Sequence, residues 1–143
     1  EFLKFIIELH PCLNIPDVTI VTDQDKGLSG TITEEVSEVV NFHCSYHRLQ
    51  NIIKMCGATS GNKVHSALWV YNRLLQCRSV AQLEREKEKT FPLMHRTDLQ
   101  YLNSLSDESQ YPAARCAKAP GVYMYHRTSL AAVESMNAAN REM

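Results

Sequence analysis

Val18-Thr19-Ile20-Val21-Thr22-Asp23-Gln24-Asp25-Lys26-Gly27-Leu28 is the stretch whose reading decides the fold. Its first five residues are all β-branched, which predicts a short, largely buried strand. The strand stops at a carboxylate. Open α/β sheets place their chemistry at the carboxyl ends of their strands, so Asp23 is a candidate functional residue. The competing reading is a turn residue, because Asp hydrogen-bonds its own backbone and opens turns.

Upstream, Phe2, Phe5, Ile6 and Leu9 fall at helical spacing, and Pro11 and Pro16 punctuate the approach to the strand. Downstream, after Gly27 and Gly30, Thr31 and Glu34 stand in capping-box register before Ile32, Val36, Val39 and Val40, which predicts a helix of two to three turns. Asn41 to Cys44 reads as a second short strand. Beyond it the pattern is helical almost without interruption from Tyr46 to Leu105. Leu49, Ile52, Ile53 and Cys56 share one face, and Val64, Ala67, Leu68, Tyr71, Leu74 and Leu75 repeat the period, with Trp69 beside them. Ser79 with Gln82 and Thr97 with Gln100 are further capping boxes. Ser106 to Pro120 reads as loop, Val122 to Tyr125 as an extended piece, and Ser129 as the cap of a last helix running to Arg141.

A chain of 143 residues with 44% hydrophobic and 22% charged side chains is ordinary globular composition for one domain. It starts with Glu1 in an apolar helical run, which suggests a piece of a longer protein. Phe2 to Leu9 is too short and too charged for a signal peptide, and no run has the apolar length of a membrane span. Five cysteines, at positions 12, 44, 56, 77 and 116, do not pair into a disulfide framework, and an intracellular, reducing compartment is the expectation.

The overall charge of −1 conceals an asymmetry: residues 1–43 carry a net −6, residues 44–100 a net +5, and residues 101–143 none. Arg48, Lys54, Lys63, Arg73, Arg78, Arg85, Lys87, Lys89 and Arg96 are candidate phosphate contacts for a nucleic acid. They are equally the solvated faces of amphipathic helices, and Glu84-Arg85-Glu86-Lys87-Glu88-Lys89 alternates in sign as such a face does.

Two constellations could carry chemistry. His43-Cys44-Ser45-Tyr46-His47 contains a Cys-x-x-His pair, Cys44 and His47, able to hold zinc, although two ligands do not close a tetrahedral site. A buried thiol and a hydrogen-bonded imidazole at a strand–helix junction explain the same pair without metal. The second is Asp23 with Glu134, which only folding could unite. Glu134 follows Ala131, Ala132 and Val133 and precedes Met136, so its helix is apolar around the carboxylate.

Three segments in this order resemble the transposase domain of Mutator-like elements, a branch of the ribonuclease H-like superfamily. Thr22-Asp23-Gln24-Asp25-Lys26-Gly27-Leu28 resembles the family's strand-ending Asp with Lys-Gly-Leu. Cys44-Ser45-Tyr46-His47 with Asn51 resembles its Cys-x-x-His element, and Glu134-Ser135-Met136-Asn137 its third carboxylate. The resemblance implies an α/β fold, predominantly helical, in which a partial ribonuclease H-like core (1–45), a helical insertion (46–120) and a returning strand and helix (121–143) follow one another.

By the same resemblance Asp23 and Glu134 are the second and third acidic residues of a catalytic triad holding Mg²⁺ or Mn²⁺, and the first lies outside this chain. Two such ions, about 3.5–4 Å apart, stabilise the attacking and leaving oxygens of phosphodiester transfer. The implied function is DNA strand cleavage and transfer at transposon ends by the parent protein in the nucleus, with the fragment alone inactive. Lys26, Arg48, Lys54, Lys63, Arg73 and Arg78 are the candidate DNA contacts. Leu130 and the spacing before Glu134 depart from the family pattern, which suits a domesticated parent that binds DNA as a transcriptional regulator. A zinc-stabilised interaction domain around Cys44 and His47 is the third reading. A homo-oligomer is left open, and no membrane partner is expected.

Overall fold

The computed structural model describes residues 2–13, 18–23, 30–32, 34, 39–56 and 66–118. Among them the fold is predominantly helical, with one two-stranded parallel sheet. They divide into two compact units, one ending at Arg48 and the other starting at Leu49.

In the first unit, α1 (Phe2–Leu9) is followed by a 3₁₀ turn at Pro11–Leu13. The expected helix is present, yet Phe5 and Leu9 are each 56% exposed and contribute nothing to a core among the described residues. β1 (Thr19–Thr22) and β2 (Val40–His43) pair in parallel, with Thr19 opposite Val40 and Thr22 opposite His43. Parallel pairing demands a crossover rather than a tight turn. Residues 30–32 and 34 of that crossover are helical, so the helix has begun by Gly30 and Thr31 lies inside it rather than capping it. Ile32, Val39, Phe42 and Cys44 are buried. α2 (Ser45–Cys56) leaves β2 after a single intervening residue, Cys44.

The second unit packs α3 (Ala67–Leu75), α4 (Val80–Thr90), α5 (Arg96–Leu102), α6 (Asp107–Gln110) and α7 (Pro112–Lys118) with the later turns of α2. Its core joins Ile52, Ala67, Val70, Tyr71, Leu74, Leu83, Leu102, Tyr111, Ala113 and Ala114. Ile52, Ala67, Tyr71 and Leu74 are positions that the helical period selects; Val70, Leu83, Leu102, Tyr111, Ala113 and Ala114 are not among them.

The helix ends have local causes. Ser66 caps α3 by accepting from the Trp69 amide at 3.3 Å. Ser79 caps α4 by accepting from the Gln82 amide at 3.2 Å, while Gln82 Oε1 reaches back to the Arg78 amide at 3.0 Å. That is a capping box shifted by one donor, and Ser79→Ala should cost about 1 kcal/mol, read as a lower urea midpoint at unchanged slope. Pro92 stops α4 in a 3₁₀ turn at Phe91–Leu93, since proline donates no amide hydrogen bond.

α5 starts at Arg96 after an extended His95, so Thr97 is not its cap; its hydroxyl bonds His95 Nδ1 at 2.8 Å instead. Residues 107–118, read as loop, form α6 and α7. Pro112 is the first residue of α7, where the missing N–H costs nothing, so a residue that reads as a breaker serves as a helix start. Buried Gln110 completes the arrangement: its Nε2 donates to the carbonyls of Leu102, the last residue of α5, and Leu105, in the connection after it, both at 3.0 Å.

Candidate functional site at the strand ends

Because β1 and β2 run in parallel, their carboxyl ends lie together, and the residues that follow each strand become neighbours. The Cys44 amide donates to the Thr22 carbonyl at 2.6 Å, carrying the ladder one bond past the paired residues. Thr22, buried, donates through its hydroxyl to Asn41 Oδ1 at 2.7 Å, a cross-strand bond on the face that alternation also gives to His43. These contacts fix the end of β1. Asp23, the next residue, is exposed.

His43 stands at the matching end of β2 and is only 7% exposed. Its ring hydrogen-bonds the Asp23 backbone. Its Nδ1 is buried with no hydrogen-bond partner among the described residues. Burial is the main cause that holds the ring's pKa below the usual imidazole range. The backbone bond and the Asp23 carboxylate oppose that shift, and the guanidinium of Arg48 adds to it. Burial therefore outweighs the attraction of Asp23, and the ring is neutral near pH 7.

The stability consequence has a definite sign. An imidazole that takes up a proton more readily when unfolded stabilises the fold fully above its ordinary pKa of about 6.5, and that contribution is lost as pH falls below it. Urea midpoints measured between pH 7.5 and 5.5 should fall more steeply for the wild type than for His43→Gln. Parallel curves would remove His43 as the cause.

Cys44 is fully buried, and its carbonyl accepts from the Arg48 amide at 2.9 Å, opening α2. His47 is half-buried, its ring set edge-on to Tyr46 at 5.6 Å. The Cys-x-x-His pair thus belongs to the strand–helix junction. Among the described residues no three His, Cys, Asp or Glu side chains are grouped to hold a metal ion. No protein-family model, curated protein or solved structure matches this chain.

Of the candidate DNA contacts, Arg48 is fully buried and out of reach of a nucleic-acid backbone. Arg73 is bound to Glu86, with its Nη2 2.8 Å and its Nε 2.9 Å from one carboxylate oxygen, and its guanidinium lies 4.8 Å from the centre of the Trp69 ring. Lys54 and Arg78 are exposed. Lys26, Lys63 and Glu134 lie outside the described residues. Elsewhere on α4, Lys89 approaches Glu86 at 3.7 Å, and Lys87 pairs with Glu84 at 3.3 Å and with Asp107. Much of the basic surplus of this segment is therefore matched locally by acids, as the alternating charge run allows.

Sequence reasoning singled out Asp23, Cys44 and His47 at this junction but not His43. The available signal was its position as the last residue of a strand next to a Cys-x-x-His pair. What makes it special, burial opposite Thr22 beside Asp23, arises from pairing between segments some twenty residues apart.

Proposed function

We propose that this chain is part of a transposase catalytic domain of the Mutator-like type, with Asp23 one of the carboxylates of a ribonuclease H-like core. The observation that carries the reading is an exposed carboxylate at the carboxyl end of a strand, whose parallel neighbour runs straight into the Cys-x-x-His helix. The helices after α2 then correspond to the insertion, and the substrate is DNA.

The chain's own residues give this site its order. The Thr22–Asn41 and Cys44–Thr22 bonds hold the strand end, His43 anchors the Asp23 backbone, and the Asp23 side chain faces solvent, where a phosphodiester can approach. Mg²⁺ or Mn²⁺ would be held by Asp23 and Glu134. Bound there, the ions supply charge stabilisation to the oxygens of the transferred phosphate. The exposed Asp23 carboxylate suits such a group, whereas Cys44 and His47 alone do not complete a zinc site among the described residues. Lys54 and Arg78 are the exposed cations offered to DNA phosphates.

The test is duplex binding by this chain, followed by fluorescence anisotropy across a salt series. The logarithm of affinity should fall linearly with the logarithm of salt concentration, and Lys54→Ala with Arg78→Ala should reduce the slope by about 0.9 for each phosphate no longer neutralised. Affinity indifferent to salt would dismiss DNA as the substrate. Affinity that depends on salt but is the same with Mn²⁺ and with chelator, in wild type and Asp23→Asn alike, would favour the non-catalytic regulator.

A further inference from the structure

The helical unit carries an open groove of about 460 Å³, a size within the range of clefts that take ligands. Phe91, Pro92 and Leu99 give it an apolar surface, and Glu84, Lys87 and Glu88, neighbours on one face of α4, give it a polar edge. Pro92 is exposed and Leu93 after it is 61% exposed, so the turn that follows α4 offers apolar surface to solvent. Exposed apolar surface with a polar rim marks a place of interaction.

The charge along that edge selects the occupant. Lys87, the one cation lining the groove, is already committed: its Nζ pairs with Glu84 at 3.3 Å and with Asp107, lies 5.9 Å from the centre of the Phe91 ring, and its side chain is only 14% exposed. The Glu84 side chain is 55% exposed, and exposed Glu88 has no ion-pair partner among the described residues. Arg85, Lys89 and Arg96, the other cations of α4 and α5, are not among the lining residues. The groove therefore offers apolar carbon bordered by negative charge, which repels a phosphate backbone and attracts a cation.

We propose that this groove docks a basic amphipathic helix of a partner protein. A large apolar side chain of that helix packs on Phe91, Pro92 and Leu99 and supplies most of the affinity. Glu84 and Glu88 stand one helical turn apart, so Lys or Arg side chains spaced by one turn on the partner meet them and fix its register. The docking needs neither Asp23 nor DNA, and it gives the helical unit a protein-binding role of its own.

The probe is a fluorescein-labelled helical peptide of leucine, alanine and lysine with one apolar and one basic face, titrated with the whole chain and followed by anisotropy. Its counterpart carries glutamate in place of lysine. The basic peptide should bind, more weakly as salt rises, and the acidic one should not. Glu88→Lys and Leu99→Ala, each folded by circular dichroism, should each weaken binding about tenfold or more. Glu8→Lys makes the same change in net charge on exposed α1, in the other unit, and should leave binding intact. In wild type, the peptide should shift the Phe91 and Leu99 side-chain resonances, an answer that needs no variant. Equal binding of both peptides, equal losses in Glu88→Lys and Glu8→Lys, or unshifted Phe91 and Leu99 resonances would each overturn the proposal. A chain that self-associates through this face, so that Glu88→Lys alone makes it monomeric while the peptide fails to bind, would overturn it in favour of a second copy as occupant.

Discussion

Tyr71→Ala is expected to remove about 3–5 kcal/mol from the stability of the helical unit, the range for deleting a buried aromatic ring. Tyr71 is fully buried in α3, and its ring centre lies 5.9 Å from that of Tyr111 at an interplanar angle of 48°. It therefore ties α3 to the segment that opens α7, two elements forty residues apart in sequence. Alanine would leave a void and remove the aromatic pairing together, and the surrounding Val70, Leu74 and Leu102 belong to helices that cannot collapse into it without moving as bodies. Against a typical total of about 5–15 kcal/mol, such a loss brings the unit close to unfolding. Urea denaturation followed by circular dichroism measures it, with Leu93→Ala as control: Leu93 is 61% exposed, and its loss should stay within about 0.5 kcal/mol. A Tyr71→Ala midpoint equal to that of the control would mean that this pair of rings does not hold the core.

The contrast between legible and illegible features follows the range of the interactions behind them. The strand over 19–22 and the helices containing Ile52 and Tyr71 are written in local period, the second strand was legible to within one residue, as 41–44 against 40–43, and the start of the helix containing Leu83 is written in the four-residue motif at Ser79. Residues 107–118 defeated the same reading, because Pro112 and Ser106 carry loop statistics. What stabilises that segment is Gln110 reaching back to the carbonyls of Leu102 and Leu105, bonds with no sequence period. Arg48 is the clearest failure. A charged residue on an amphipathic helix is read as surface, yet this one is entirely buried. Phe5 and Leu9 fail in the opposite direction, being apolar, regularly spaced and exposed.

The candidate site divides in the same way. Asp23 was legible because a run of β-branched residues ended at it. Its exposure and the direction of its strand are consistent with the role inferred from that run. His43 was illegible because its properties depend on register: a slip of one residue between β1 and β2 would turn its side chain to the opposite face of the sheet. The charge surplus of residues 44–100 was visible as a number but not as a surface. Folding matches Arg73, Lys87 and Lys89 with Glu86, Glu84 and Asp107.

Asp23→Asn should separate function from stability in the opposite sense to Tyr71→Ala. The side chain is exposed at a strand end whose backbone is held by the Cys44 amide, the Thr22–Asn41 bond and the His43 ring. Its replacement by the isosteric amide should therefore change stability by no more than about 0.5 kcal/mol. A divalent cation loses far more, because a neutral amide oxygen replaces a charged ligand that hard cations require. Removing merely supporting groups at metal sites costs about 10–100-fold in affinity, so loss of the ligand itself should cost about a hundredfold or more in Mn²⁺ binding. Calorimetric titration of Mn²⁺ into both proteins, with their urea midpoints measured in chelator, gives the two numbers side by side. A large loss of affinity at an unchanged midpoint is the signature of a ligand placed on a scaffold that does not need it. Equal affinities would leave the carboxylate a strand-ending turn residue, the reading that the isolated sequence stretch also allowed.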